Sequence, residues 1–135
     1  MKNFKLNEKD ILSNQDWTFP TTTYYGPGRF NEIAKFCEEF DIKNPLIVTD
    51  SGSKDLPFIK KLIALLSKNN IKSDLFYNIS PNPRDDEISK GCDQFKNGSH
   101  DSIIAIGGGS AMDGGKSICL TVNSETPLWD FEFEQ

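Results

Sequence analysis

The sequence predicts an α/β fold: a doubly wound, mostly parallel sheet with flanking helices, of the Rossmann-like kind. Three observations support this prediction. Short apolar runs rich in β-branched residues alternate along the chain with segments of helical periodicity, as expected for a parallel sheet with helical crossovers. Most of these runs are apolar throughout, which is typical of strands buried on both faces. Residues 107–109 are three glycines between the last run and the last helical segment, where the chain must turn sharply.

The chain starts with a polar segment that is followed by a β-rich one. Residues 1–16 show no periodicity, and we predict a polar lead-in that precedes an α/β domain spanning residues 17–135. Residues 17–25 are rich in threonine and aromatic residues, and Pro20 confines them to a sheet edge, so we predict an edge strand or hairpin arm. After a break at residues 26–28, an apolar stripe predicts a helix; its members are Phe30, Ile33, Ala34 and Cys37.

Two strands and a helix follow in close succession. Residues 45–50 form an apolar run that ends on Asp50, and residues 74–79 form a later run, so both predict strands. Between them, residues 55–68 have the periodicity of an amphipathic helix. Its predicted inner face consists of Ile59, Leu62, Ile63 and Leu66.

The second half of the domain repeats this pattern. Pro81 and Pro83 stiffen the loop after the third strand, because each proline fixes its own φ and restricts the residue before it. A helix then begins with the acidic residues 85–87, which complement its dipole. A last buried strand, residues 103–106, leads through the glycines into a helix that ends near Leu120. The inward residues predicted for the first of these two helices are Ile88, Cys92 and Phe95.

Length and composition disfavour several classes of protein. With 135 residues and a formal net charge of -5, the chain suits one domain and argues against a nucleic acid or an anionic membrane as partner. No apolar run approaches the roughly 20 residues of a membrane helix, and the N-terminus lacks the apolar core of a signal peptide. The three cysteines lack metal-binding spacing, and we predict that the only histidine, His100, lies in a surface loop. We therefore expect a cytoplasmic protein with no metal site in this chain.

The strand, the glycine turn and the helix start around residues 107–109 together predict an anion site. Glycine lets backbone N–H groups approach a ligand closely, and the first N–H groups of a helix lack partners at the positive end of its dipole. The usual anion there is a phosphate, and the alternative is a plain tight turn. Neither standard nucleotide pattern fits. The G-x-G-x-x-G pattern needs glycine at Met112, and the P-loop pattern, which matches residues 115–117, needs glycine at Ser110.

Three features lie at the carboxyl ends of predicted strands, where doubly wound sheets bind ligands: Asp50, the loop at residues 81–83 and the glycine turn. Each has a structural alternative. Asp50 either accepts hydrogen bonds from the two hydroxyls of a ribose or caps the turn that follows it. Asn82 either contacts a ligand or is only a turn residue. Asp113 either contacts a ligand or stabilises the positive end of the helix dipole. Lys116 lies three residues further along the same helix, and we expect it to form an ion pair with Asp113 rather than to face a phosphate.

Four motifs follow one another along the chain. They are residues 19–28 (F-P-T-T-T-Y-Y-G-P-G), 48–50 (V-T-D), 81–83 (P-N-P) and 107–110 (G-G-G-S), the last with Asp113 and Lys116 after it. In this order and spacing they resemble the N-terminal dinucleotide-binding domain of the iron-containing (group III) alcohol dehydrogenase family. The resemblance implies that the cofactor is NAD, with NADP less favoured. It also implies contacts of Asp50 with the adenosine ribose, of Asn82 near the phosphates, and at the pyrophosphate of Gly108, Gly109, Ser110, Ala111, Met112 and Asp113.

By the same resemblance, the whole enzyme would transfer hydride between an alcohol or aldehyde substrate and the nicotinamide. Its divalent metal, such as iron or zinc, would be held by a second, helical domain that this chain lacks, and a homo-oligomer is compatible with the family. We therefore expect a fragment that has no catalytic residue and is inactive alone. The alternatives from other classes are a P-loop-like NTPase and a non-catalytic nucleotide-binding module.

Two residues depart from the family's pattern. Gly115 stands where the family usually has alanine, so we expect a helix that is less stable by about 0.5–1 kcal/mol. Arg84 stands where the family often has threonine, which puts a cofactor contact by this residue in doubt.

Overall fold

The structure, a computed structural model, describes residues 15–18 and 21–131. Its strands are β1 (Gln15–Thr18), β2 (Thr22–Tyr25), β3 (Pro45–Asp50), β4 (Asp74–Ile79) and β5 (Ser102–Ala105). Its helices are α1 (Ile33–Glu39), α2 (Pro57–Lys68), α3 (Asp85–Asn97) and α4 (Gly109–Thr121), with short 3-10 turns at Arg29–Glu32 and Leu128–Phe131. Most of the predicted lead-in, Pro20 and residues 132–135 lie outside the described residues.

β3 is the central strand of a parallel sheet with the order β4-β3-β5. Leu46 of β3 pairs with Asp74 on one side and with Ile103 on the other. The chain passes through α2 to β4 and then through α3 back across β3 to β5, so it winds in both directions from the centre. The predicted α/β fold with a parallel sheet is confirmed. β1 and β2 form a separate antiparallel hairpin, with Gln15 opposite Tyr25. The segment predicted as one strand or hairpin arm over residues 17–25 therefore contributes to two strands, and the first begins at Gln15, within the predicted lead-in.

The two faces of β3 fill two different cores, because successive side chains of a strand point to opposite faces. Leu46 and Val48 pack with Ile118 on the side of α3 and α4. Ile47 packs with Leu62 on the side of α1 and α2. All five side chains are fully buried, and each such burial contributes about 1.5–3 kcal/mol. Helices therefore cover both faces of the sheet, which is the doubly wound arrangement.

Several details of the predicted elements are wrong. Phe30 is 36% exposed because it lies in the 3-10 turn before α1 rather than on the helix's inner stripe, and Ile63 is 38% exposed at the margin of the stripe that buries α2. β5 is half-buried at every position instead of buried on both faces, because it is an edge strand of the described sheet. α2 begins at Pro57 rather than at residue 55, since the fixed φ of proline suits the first position of a helix.

His100 is buried, which contradicts the predicted surface location. Only 7% of the residue is exposed, and its Nδ1 lies 3.0 Å from the carbonyl oxygen of Asn44, to which it donates because a carbonyl only accepts. Its Nε2 lies 3.3 Å from Oδ2 of Asp74. Asn44 precedes β3 and Asp74 begins β4. His100 is therefore hydrogen-bonded to the residue before β3 and lies next to the first residue of β4, a set of contacts that spans distant parts of the chain.

Two consecutive glycines let α4 lie close against the sheet. A Cβ on Gly115 would stand 2.5 Å from Cβ of Ala105 in β5, and a Cβ on Gly114 would stand 2.8 Å from Cδ1 of Ile79 in β4. Real Cβ atoms do not approach other atoms so closely, and Cβ of Ala105 cannot move without its backbone. The glycine that departs from the family's alanine therefore has a packing role here, in addition to the cost in helix propensity that the sequence predicts.

We expect Gly115→Ala to destabilise the chain. The added methyl group overpacks the α4–β5 contact at about 1–3 kcal/mol, while the better helix propensity of alanine offsets about 0.5–1 kcal/mol. The free energy of unfolding in urea should therefore fall by about 1 kcal/mol, the difference between the middle values of the two ranges. Gly109→Ala is the matched control, because an added Cβ at Gly109 meets no atom within 4 Å. Equal stability of the two variants would contradict the packing role of Gly115.

Candidate functional site

The crevice between β3 and β5 is where the direction of the chain's winding reverses. The connection from β3 runs to β4 on one side, whereas β5 lies on the other side of β3. In open α/β sheets, ligands bind at this point, just outside the carboxyl ends of the strands. Asp50 ends β3, and Gly107 follows β5 by one residue, Ile106. The structure thus brings the predicted acid and the predicted glycine turn to the same crevice.

Gly107 is the residue of the turn that has to be glycine. Its φ is 141°, and a Cβ there would lie 2.8 Å from Cβ of Ala111 and 3.1 Å from Oδ2 of Asp50. Gly108 and Gly109 differ, because an added Cβ at either position meets no atom within 4 Å. Of the three glycines, only Gly107 has a positive φ. The space over Gly108 and Gly109 is open, which is the room that a ligand would need.

The N-terminus of α4 faces this open space. The first backbone hydrogen bond of the helix runs from Met112 N to Gly108 O, at 3.1 Å. The N–H groups of Gly109, Ser110 and Ala111 precede it and have no acceptor within the helix. These three groups, with the positive end of the helix dipole, can hold an anion. The side chain of Ala111 is buried, so this residue offers only its N–H group.

Asp50 caps the turn that follows β3. Its Oδ1 accepts a hydrogen bond from Gly52 N at 3.0 Å, and its Oδ2 accepts one from the Ser53 hydroxyl at 2.8 Å. The structural alternative raised by the sequence is therefore present. The carboxylate also borders the Gly107 turn, and a carboxylate with two oxygens can accept further hydrogen bonds from a ligand.

Thr49 is a residue of the site that the sequence analysis missed. It is fully buried, and its hydroxyl donates to the carbonyl oxygen of Ile106 at 2.7 Å. This bond ties β3 to the start of the glycine turn, one residue before Gly107. The signal in the sequence is a single hydroxyl within an otherwise apolar strand, at the position just before Asp50.

A side-chain hydrogen bond joins the Pro81–Asn82–Pro83 loop to α4. The Ser110 hydroxyl donates to the carbonyl oxygen of Pro81. The third predicted feature therefore lies beside the N-terminus of α4, as the sequence predicts for the carboxyl edge of a parallel sheet. Asn82 is exposed. Its backbone carbonyl oxygen lies 2.9 Å from the Ser80 hydroxyl, and its side-chain amide makes no hydrogen bond with the described residues.

Glu87 of α3 binds the residues on either side of the same loop. Its Oε2 accepts hydrogen bonds from Ser80 N at 3.2 Å, the Ser80 hydroxyl at 3.0 Å and Arg84 N at 3.1 Å. Burial opposes ionisation of Glu87, which is 7% exposed, but these hydrogen bonds outweigh burial and hold its pKa below the ordinary value. The Arg84 guanidinium pairs with Asp86 and Glu87. The guanidinium is therefore directed toward the first turn of α3.

Two other predictions about α4 fail. No ion pair joins Asp113 and Lys116 in the part of the chain that the structure describes, and both residues are exposed. The P-loop alternative also loses its basis. Residues 115–117 lie inside α4, where Gly115 packs on β5, whereas a P-loop must wrap a phosphate before the helix begins.

An apolar cleft of about 450 Å³ borders the glycine turn on the side of α2. Its lining residues are Phe30, Ser53, Leu56, Phe58, Ile106, Gly107 and Gly108. Within residues 15–18 and 21–131, no group of three or more His, Cys, Asp and Glu side chains is arranged to hold a metal ion. Within the same ranges, no helix has the length and apolar character that crossing a bilayer requires.

The fold and the crevice define a Rossmann-like α/β domain whose polar groups converge on a glycine turn. The sequence profile of the family described as "Iron-containing alcohol dehydrogenase" matches residues 20–135. The chain therefore belongs to the iron-containing alcohol dehydrogenase family. The resemblance stated from the sequence is confirmed, and nothing in the comparisons supports the NTPase alternative.

The chain is similar to curated enzymes that are much longer. Alcohol dehydrogenase 4 of Schizosaccharomyces pombe is 34% identical over 113 residues, which cover 84% of this chain and 27% of the yeast enzyme. NADH-dependent butanol dehydrogenase A of Clostridium acetobutylicum is 32% identical over 116 residues, or 85% of this chain and 30% of that enzyme. The chain thus spans less than a third of the length of these relatives.

The chain also superposes on part of the solved structures of longer enzymes. The crystal structure of a 1,3-propanediol oxidoreductase superposes with a TM-score of 0.77 at 29% identity, covering 80% of this chain and 28% of that one. Sulfoacetaldehyde reductase from Bifidobacterium kashiwanohense, solved in complex with NAD⁺, superposes with a TM-score of 0.70 at 26% identity, covering 78% of this chain and 28% of that one. The described fold is therefore one that enzymes of this family share.

The lowered pKa of Glu87 predicts a pH-dependent contribution to stability. The ionised form is favoured in the folded chain, so its stabilisation is complete above the ordinary pKa of 4.5 and is lost as the pH falls through the lower folded value. We expect Glu87→Gln to reduce the free energy of unfolding at pH 7 by about 1–3 kcal/mol, because an uncharged amide oxygen replaces the carboxylate oxygen that accepts three hydrogen bonds. The difference from wild type should narrow below pH 4.5.

Urea unfolding of both proteins at several pH values tests this expectation. Glu39→Gln, at an exposed glutamate of α1, controls for the loss of one charge. A loss of stability in Glu87→Gln that is equally large at all pH values would contradict the role of the ionised carboxylate.

Proposed function

We propose that this chain supplies the dinucleotide-binding part of an NAD-dependent alcohol dehydrogenase, which transfers hydride between a small alcohol or aldehyde and the nicotinamide. The observation that carries the proposal is the open space over Gly108 and Gly109, which the three unpaired N–H groups at the start of α4 face. The relatives, which include an NADH-dependent butanol dehydrogenase and an enzyme crystallised with NAD⁺, support this choice of cofactor and substrate class.

The pyrophosphate of the dinucleotide is the anion that suits the N-terminus of α4. Gly108, Gly109 and Ser110 would approach it with backbone groups, because no Cβ at the two glycines obstructs the ligand. Ala111 and Met112 would contribute through their backbone, and Asp113 lies in the next part of the helix. Asn82 would contact the ligand near the phosphates through its side-chain amide, which makes no hydrogen bond with described residues.

Asp50 and the apolar cleft suit the adenosine half. A carboxylate at the end of a strand in this fold accepts hydrogen bonds from ribose hydroxyls. The cleft between Phe30, Leu56 and Phe58 opens next to the same turn and offers apolar surface to the flat adenine ring. Since Asp50 would face a 2′-phosphate as a like charge, we propose NAD rather than NADP as the preferred cofactor.

The hydride chemistry itself belongs to the nicotinamide. The residues of this chain would bind and orient the cofactor, and no catalytic residue is assigned among them. The metal that the family's description names finds no fitting ligand cluster in residues 15–18 and 21–131, so no step of this proposal goes through a metal. A cytoplasmic location and a homo-oligomeric state of the whole enzyme stay predictions.

Gly109→Val tests the pyrophosphate site. The branched side chain would occupy the space that the phosphate needs, while meeting no protein atom at its Cβ. We expect NAD affinity, measured by calorimetry, to fall by about tenfold or more, which corresponds to about 1.4 kcal/mol. Ala64→Val places the same helix-weakening residue at an exposed position of α2 and should leave the affinity unchanged. Wild-type NAD affinity in Gly109→Val would refute the site.

Asp50→Asn tests the preference for NAD. The amide keeps an oxygen that can accept the hydrogen bond from Gly52 N, so the turn is disturbed less than by truncation. A repulsion of about 1–2 kcal/mol, screened by solvent and ions, disappears with the charge. We expect the ratio of NADP to NAD dissociation constants to fall by roughly tenfold. An unchanged ratio with both affinities weakened alike would assign Asp50 to the turn alone.

A further inference from the structure

A buried carboxylate outside the crevice accepts hydrogen bonds from both residues that flank the Pro81–Asn82–Pro83 loop. Glu87 lies in the first turn of α3 and is 7% exposed. Its Oε2 is the common acceptor for Ser80 N, the Ser80 hydroxyl and Arg84 N, at 3.0–3.2 Å. The first and the last residue of the five-residue segment 80–84 are therefore bound to one oxygen atom.

The proline content of this segment explains why it needs a side-chain anchor. Pro81 and Pro83 have no N–H group, so the segment 80–84 has only three backbone donors, and Glu87 accepts hydrogen bonds from two of them. The described structure fixes it in two other places. The Ser80 hydroxyl shares its one proton between Glu87 and the carbonyl oxygen of Asn82. On the opposite side, the Ser110 hydroxyl donates to the carbonyl oxygen of Pro81.

Within the loop, these contacts involve backbone carbonyl groups and do not involve the side chain of Asn82. The Asn82 side chain makes no hydrogen bond with described residues. It belongs to a loop that is fixed on one side to α3 and on the other to the start of α4. A rigid loop costs less conformational entropy when a ligand binds, and such preorganisation raises affinity without adding a contact.

We propose that Glu87 is a positioning residue for cofactor binding, which holds Asn82 beside the N-terminus of α4 without touching the ligand. This inference rests on the proposed binding of a dinucleotide at the α4 N-terminus. It assigns to a residue of α3 an effect on affinity that is transmitted only through Asn82. Glutamine does not reproduce this role in full, because its one amide oxygen is uncharged and accepts weaker hydrogen bonds than a carboxylate, and its amide nitrogen would face the Arg84 guanidinium.

A double-mutant cycle with NAD as the probe tests this inference. We expect Glu87→Gln to weaken NAD binding by about 2- to 10-fold, the loss typical of one good hydrogen bond, and Asn82→Ala to weaken it by a similar factor. In the Asn82→Ala background, Glu87→Gln should change affinity by less than about twofold, because its effect requires Asn82. Independent, multiplicative effects in the double variant would overturn the positioning role.

Asp101 supplies a matched control for lost stability. It also accepts two backbone N–H bonds and one serine hydroxyl bond, from Lys43, Asn44 and Ser102, but at the amino edge of the sheet. Asp101→Asn should therefore lower stability as Glu87→Gln does while leaving NAD affinity unchanged. Equal losses of affinity in the two variants would reduce Glu87 to a purely structural residue.

A replacement variant and two reference affinities distinguish failure of this inference from failure of the proposed function. If Glu87→Gln does not fold, Ser80→Ala replaces it in the cycle, because it removes the hydroxyl that Glu87 shares with Asn82. If the wild-type chain binds no NAD, the proposed function fails and this inference fails with it. If wild type binds NAD and Gly109→Val does not, but the cycle is multiplicative, the positioning role alone is overturned.

Discussion

The close contact of α4 with β4 and β5 is the constraint on which the site depends. Gly114 and Gly115 remove the two side chains that would keep the helix away from Ile79 and Ala105. Because the helix lies so near the sheet, its N-terminus comes out directly over the carboxyl end of β5. Gly107 then has to turn the chain within a single residue, beside Asp50 and with Ala111 in contact, and only glycine fits there. The glycines of this stretch thus have different tasks: one turns the chain, two leave space and two permit packing.

Sequence reasoning predicted the parts of this arrangement that local patterns determine. β3 and β4 were predicted with their observed bounds because each is a bounded run of strand-forming residues. The convergence of Asp50, the Asn82 loop and the glycine turn followed from one rule, that the carboxyl ends of parallel strands meet at one edge. The family was also recognisable, because four short motifs occur in a fixed order.

The features that the sequence could not give depend on contacts between distant residues. His100 lies in a polar loop segment whose composition predicts exposure, but its ring is buried and donates to the carbonyl group of Asn44, 56 residues earlier in the chain. From the sequence alone, Gly115 is expected only to lower the stability of its helix. Its packing role becomes visible once the position of Ala105 is known. Asp113 and Lys116 have the right spacing for an ion pair on a helix, but solvent competes for both exposed charges, and such pairs are worth only a few tenths of a kcal/mol. The spacing of residues along the sequence indicates which contacts are possible, but the packing of distant segments determines which of them form.

The charge distribution also bears on how the crevice would hold a dinucleotide. The chain has a net charge of -5, so its overall field does not attract an anionic ligand. Asp50 adds a negative charge at the edge of the crevice, and Arg84, the cation of the neighbouring loop, is paired with carboxylates of α3. Attraction for a phosphate must therefore come from oriented N–H groups at the start of α4, which act over short distances and depend on geometry. For such a site, the rigidity of the surrounding backbone matters more than added charge, and the buried carboxylate of Glu87 supplies rigidity from a position where three hydrogen-bond donors and the Arg84 guanidinium offset its charge.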